Sequence, residues 1–88
     1  MNIAIVDDDK IELDTIETLL HFGIKKFRAN CKTKINIEKF LCADEFLSVF
    51  SPRIYQTVVL GLNMRRLAKF ISDSGVKIIF INSEGNCL

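Results

Sequence analysis

Met1-Asn2-Ile3-Ala4-Ile5-Val6-Asp7-Asp8-Asp9 opens the chain, and its reading decides the fold. Ile3 to Val6 are continuously apolar, as expected of a strand buried on both faces of a parallel sheet. The strand ends on three adjacent carboxylates, and a helical pattern starts immediately behind them. In an open α/β sheet, ligands bind in the crevice beyond the carboxyl ends of the strands. Adjacent carboxylates there suit a hard cation such as Mg²⁺, which takes a few protein oxygens and keeps several waters.

Three further runs rich in Ile, Val and Phe occupy residues 35–41, 57–62 and 77–82. The last two are again continuously apolar. The run 35–41 alternates, with Asn36 and Glu38 between Ile35, Ile37 and Lys39, which suits a strand at a sheet edge. Helical patterns separate the runs. Leu13, Ile16, Leu20, Ile24, Phe27 and Cys31 recur at three- and four-residue steps and form one apolar stripe. Asp9 stands at an N-cap position, and Glu12 three residues on completes a capping-box pattern. Gly23 interrupts this helix at a cost of about 1 kcal/mol relative to Ala, and the helix is expected to continue past it. Residues 43–50 predict a second, short helix ahead of Ser51-Pro52. Met64, Leu67, Ala68 and Ile71 predict a third, closed by Gly75 at C′. The order β-α-β-α-β-α-β implies an α/β fold with a parallel sheet and right-handed crossovers.

Composition narrows the classes. The 88 residues leave room for one domain, and a chain of this size buries roughly 60% of its unfolded surface. With 49% apolar and 26% charged residues the chain is not of the disordered type. A net charge of +1 gives no bulk attraction to nucleic acid or anionic membrane. No apolar run approaches the roughly 18 residues of a membrane span, and carboxylates after the first strand argue against a signal peptide. Cys31, Cys42 and Cys87 are odd in number and lack Cys-x-x-Cys spacing, so reduced thiols and a cytoplasmic location are expected.

Taken together and in order, these pieces resemble a response-regulator receiver domain of two-component signalling, over nearly the whole chain. Ile3 to Lys10 is similar to the family's first strand and acidic pair. Phe40 to Leu47, ending Asp44-Glu45-Phe46-Leu47, looks like the second helix of receivers joined to LytTR-type DNA-binding domains. Val58-Val59-Leu60-Gly61-Leu62-Asn63-Met64 resembles the third strand, Leu67-Ala68-Lys69 the third helix, and Lys77 to Ser83 the fourth strand. The resemblance implies a flavodoxin-like three-layer sandwich, shortened here to about four strands in the order 2-1-3-4. It further implies that residues 1–88 form a single receiver-like domain without the family's last strand, its lysine and the last two helices.

The departures from the family bear on function. The position of its phosphoacceptor aspartate is Gly61, which has no nucleophile. Most of the loop before the third helix is absent, since Met64 passes directly into Arg65-Arg66-Leu67. The hydroxyl expected at the end of the fourth strand falls on Asn82, with Ser83 adjacent. By the resemblance Asp7, Asp8 and the backbone carbonyl of Asn63 would hold Mg²⁺. Without a carboxylate at residue 61 that site is expected to be weak or vestigial, an acidic rim with Asp9 as helix cap. No other cofactor is expected.

The remaining candidates read as surface. Lys25, Lys26, Arg28, Lys32 and Lys34 complement the end of the first helix, and only Phe27, a core-stripe position, lies among them, so no nucleic-acid partner is expected. His21 has no local Ser, Cys or metal-type neighbour. Gly61 and Gly75 belong to no phosphate-cradling motif. The expected function is therefore a degenerate, non-enzymatic receiver-like domain acting by protein–protein interaction in a signalling pathway. Two alternatives stand beside it: an active receiver using a displaced acceptor such as Asp7 or Asp8, and a truncated gene product without present function. The run Lys77-Ile78-Ile79-Phe80-Ile81, apolar and guarded only by Lys77, is expected to mediate a symmetric homodimer through Ile78, Ile79, Phe80 and Ile81.

Overall fold

A computed structural model describes residues 1–27 and 34–81. Arg28, Cys31, Lys32, Asn82, Ser83 and Cys87, all named above, lie outside the described residues. Among the described residues nine elements follow one another: β1 (Asn2–Val6), α1 (Lys10–Phe27), β2 (Asn36–Phe40), α2 (Ala43–Val49), β3 (Thr57–Gly61), a 3₁₀ turn (Leu62–Leu67), α3 (Ala68–Ile71), a second 3₁₀ turn (Ser72–Ser74) and β4 (Lys77–Ile81). All strand pairs are parallel and the sheet order is β2-β1-β3-β4. The fold is thus the expected α/β sandwich, consistent with a flavodoxin-like arrangement.

Alternation along the strands divides the core in two. Ala4, Val6, Val58 and Leu60 face α2 and α3 and meet Phe40, Phe46, Tyr55, Leu67 and Ile71. Ile3, Ile5, Val59 and Ile81 face α1 and meet Leu13 and Ile16, with Leu20 and Ile24 half-buried beside them. Phe46 is fully buried, its ring centroid 5.4 Å from that of Phe40 and 6.2 Å from that of Tyr55. The Tyr55 hydroxyl donates to Glu38 Oε2 at 2.5 Å, and burial, reinforced by that carboxylate, pushes its pKa up to about 12.

β2 pairs only with β1 among the described residues, and Lys39 guards it by bonding Asp14 and Glu17 of α1 at 3.1 and 3.0 Å. That pairing holds the Asp14 carboxyl below its ordinary range and raises Lys39. At the other end β4 pairs only with β3 among the described residues. Its Ile78, Ile79 and Phe80 are half-buried and Ile81 is buried.

The elements differ from expectation in local detail. α1 does run through Gly23, a position with open space around it. The third helix, however, is a single α-helical turn between two 3₁₀ turns. Met64 and Leu67, like Ala68 and Ile71, are three residues apart, and three-residue spacing is what a 3₁₀ turn aligns on one side. Leu67 and Ile71 are accordingly buried without a regular helix. Gly75 closes the segment at φ +81°, the left-handed conformation that its C′ position requires.

Candidate functional site

The order of the sheet reverses between β1 and β3, since β2 lies outside one and β4 outside the other. The crevice past their carboxyl ends is where an open α/β sheet binds ligands. Asp7 and Gly61 stand there, Asp7 one residue past the last β1–β3 pair, Val6 with Leu60.

Asp7 does not point out of this crevice. It is completely buried, and its backbone N–H donates to the Phe40 carbonyl at 3.0 Å. Its Oδ1 accepts the Asp9 backbone N–H at 2.9 Å, while Oδ2 has no hydrogen-bond partner. That oxygen lies where residue 61 would carry a side chain. A Cβ built on Gly61 would stand 2.0 Å from Asp7 Oδ2 and 2.7 Å from its Cγ, so any other residue at 61 collides with the carboxyl. The Gly61 backbone itself is ordinary, φ −64° and ψ 157°. Glycine is needed here for space and not for conformation.

Burial pushes the Asp7 carboxyl up to about 6, and the neighbouring Glu12 and Asp8 carboxylates add to the effect. The Asp9 N–H opposes it, because a donor to the carboxylate favours the charged form.

The other two acids are spent differently. Asp8 is exposed, and its Oδ1 accepts the side-chain amide of Asn63 at 3.1 Å, tying the end of β1 to the turn after β3. Asp9 is the N-cap of α1: its Oδ1 accepts the backbone N–H of Ile11 at 2.8 Å and of Glu12 at 3.3 Å. The capping box is not closed. The Asp9 N–H that Glu12 would take is already donated to Asp7.

These residues do not fit a receiver-type Mg²⁺ site. Asp7 faces the core, Asp8 is engaged by an amide, and residue 61 supplies no carboxylate. Among the described residues no group of three or more His, Cys, Asp or Glu side chains is placed to hold a metal. Beside the crevice an open depression of about 510 Å³ is lined by Leu62, Asn63, Arg65 and Arg66.

The structure therefore brings Asp7, Asp8, Gly61 and Asn63 together, as the resemblance implies, but in different roles. His21 is exposed on α1, 3.8 Å from Glu17 Oε2, and Cys42 is exposed and free. Lys25 and Lys34 are exposed as well. Among the described residues no helix is long and apolar enough to cross a membrane.

Strand parity was the signal available for Asp7. Ile3, Ile5 and Asp7 share one face of β1, and Thr57, Val59 and Gly61 share the same face of β3. A residue at 7 and a residue at 61 therefore compete for one volume. Comparison with protein-family models, with curated proteins and with solved structures gives no match to this chain.

Proposed function

We propose that the chain is a degenerate receiver-like module of two-component signalling, one that acts by binding another protein and does not accept a phosphoryl group. One observation carries this reading: the Asp7 carboxyl fills the volume that an acceptor side chain at 61 would need. Phosphoryl transfer requires an oxygen nucleophile and positive charge arranged around the transferring group. Gly61 offers no oxygen, and the carboxylate beside it is turned inward and held up to about 6. Such a module is no enzyme and needs no cofactor, and its place is the cytoplasm, where its kinases and their targets meet.

Acetyl phosphate with Mg²⁺ tests the chemical half. The intact mass is expected to stay unchanged, and a hydroxylamine-labile phosphate adduct would overturn the reading in favour of a displaced acceptor. Calorimetric titration with histidine kinases encoded in the same genome tests the binding half. Heat of binding to one of them supports the module, and none with any of them removes it.

A further inference from the structure

Helix α1 is apolar on two opposite faces, and only one of them meets the sheet. Leu13, Ile16, Leu20 and Ile24 face inward. On the far side Ile11 is 78% exposed, Leu19 45% and Phe22 72%. Thr15 and Thr18 lie between them. Their hydroxyls donate back to the Ile11 and Asp14 carbonyls at 2.8 and 2.9 Å, so their polar groups are already satisfied. At 3.6 residues per turn, positions 11, 15, 18 and 22 fall within a band of about 60°, with Leu19 at its margin. A depression of about 370 Å³ opens on this face, lined by Ile11, Asp14, Thr15, Thr18 and Leu19. Scattered exposed apolar residues are normal, but a continuous stripe along one helix face marks an interaction surface.

We propose that this stripe is a self-association surface, on which α1 of a second copy packs antiparallel about a two-fold axis. Two patterns select that occupant. The stripe is symmetric end to end: a bulky apolar residue, two threonines, a bulky apolar residue. An antiparallel copy sets Phe22 against Ile11 of its partner and into the depression, and the same contact repeats on the other side of the axis, as an isologous interface requires.

The charges are antisymmetric. Beyond the buried Asp7, residues 8–17 hold five carboxylates and one lysine, whereas residues 18–27 hold His21, Lys25 and Lys26 and no carboxylate. An antiparallel copy lays the acidic half over the basic half twice, and it also opposes the two helix dipoles favourably. A parallel copy would set like charge on like. Lys39 already holds Asp14 and Glu17 on the flank toward β2. The surface is independent of the signalling reading and survives its failure.

Sedimentation equilibrium of the full chain over micromolar to millimolar concentrations tests the proposal. The expected result is a monomer–dimer equilibrium that weakens several-fold as salt is raised. Phe22→Lys is expected to abolish the dimer while leaving the circular dichroism and the urea midpoint unchanged, since Phe22 touches no core. Lys25→Glu removes positive charge from the basic half and should weaken the dimer, most at low salt. A monomer at every concentration overturns the proposal. So does a dimer that survives Phe22→Lys, including one lost instead in Ile79→Lys, which would put the contact at β4. A dimer not weakened by Lys25→Glu overturns the antiparallel direction.

Discussion

Replacing Asp7 by Asn removes an ionisable group from a place where ionisation is costly. In the unfolded chain the carboxyl titrates near 3.8, and in the fold burial raises it to about 6. Below the lower value both states are protonated and the group contributes nothing to the pH dependence. Between the two values the unfolded chain has released its proton and the folded chain has not. The unfolded state then binds fewer protons, so stability falls as pH rises, and it levels off above about 6. Each tenfold difference in proton affinity is worth about 1.4 kcal/mol, so the ionised Asp7 costs the fold about 3 kcal/mol at neutral pH. That is a large part of the stability of a small domain. Asn retains an oxygen for the Asp9 N–H and never ionises. Urea unfolding followed by circular dichroism, at a series of pH values, should show Asp7→Asn more stable than the parent by about 3 kcal/mol near pH 8 and by little below pH 4. Parallel stability curves would refute the reasoning. A variant less stable near pH 8, with Mg²⁺ stabilising only the parent, would mean that Asp7 Oδ2 serves a cation.

The Asp7–Gly61 contact can be tested from its other side. Gly61→Ala brings a methyl group within 2.0 Å of Asp7 Oδ2 and should cost about 1–3 kcal/mol, as overpacking does. In an Asp7→Ala background the cost should nearly vanish, and an additive double-mutant cycle would deny the contact. Gly23→Ala should act oppositely. The site is exposed, within a helix and open around the missing Cβ, so a gain of about 1 kcal/mol and a rise of about 4–8 °C in Tm are expected; an unchanged Tm would refute it.

Parallel strands buried on both faces write themselves into the chain as unbroken apolar runs, which is why β1, β3 and β4 could be read almost to the residue. The edge strand β2 was legible by its alternation, although Ile35 and Leu41 at its ends fall outside it. Leu41 is 46% exposed, beyond the reach of the core. The third helix is not legible in the sequence, because its apolar spacing fits an α-helical stripe and a pair of 3₁₀ turns equally well. What local sequence decides, such as the Asp9 cap or the Gly75 turn, was legible. The second apolar face of α1 is not legible in that way, since Ile11, Leu19 and Phe22 lie off the stripe that explains the fold.

The candidate site shows the limit more sharply. Read along the chain, Asp7 and Asp8 are equivalent neighbours at a strand end. Strand alternation makes them opposites, one turned toward α1 and Gly61 and the other toward solvent and Asn63. The partner that decides the direction of Asp7 is far away in sequence and is brought beside it only by the β1–β3 register. A glycine at 61 could mean a site that has merely lost one ligand. Here the volume beside the glycine is filled by the neighbouring carboxyl, which is thereby stripped of water and lifted toward neutrality. The glycine at 61 and the burial of Asp7 are one packing solution. A carboxylate placed at residue 61 would therefore have to drive Asp7 out of the core before any cation could bind between them.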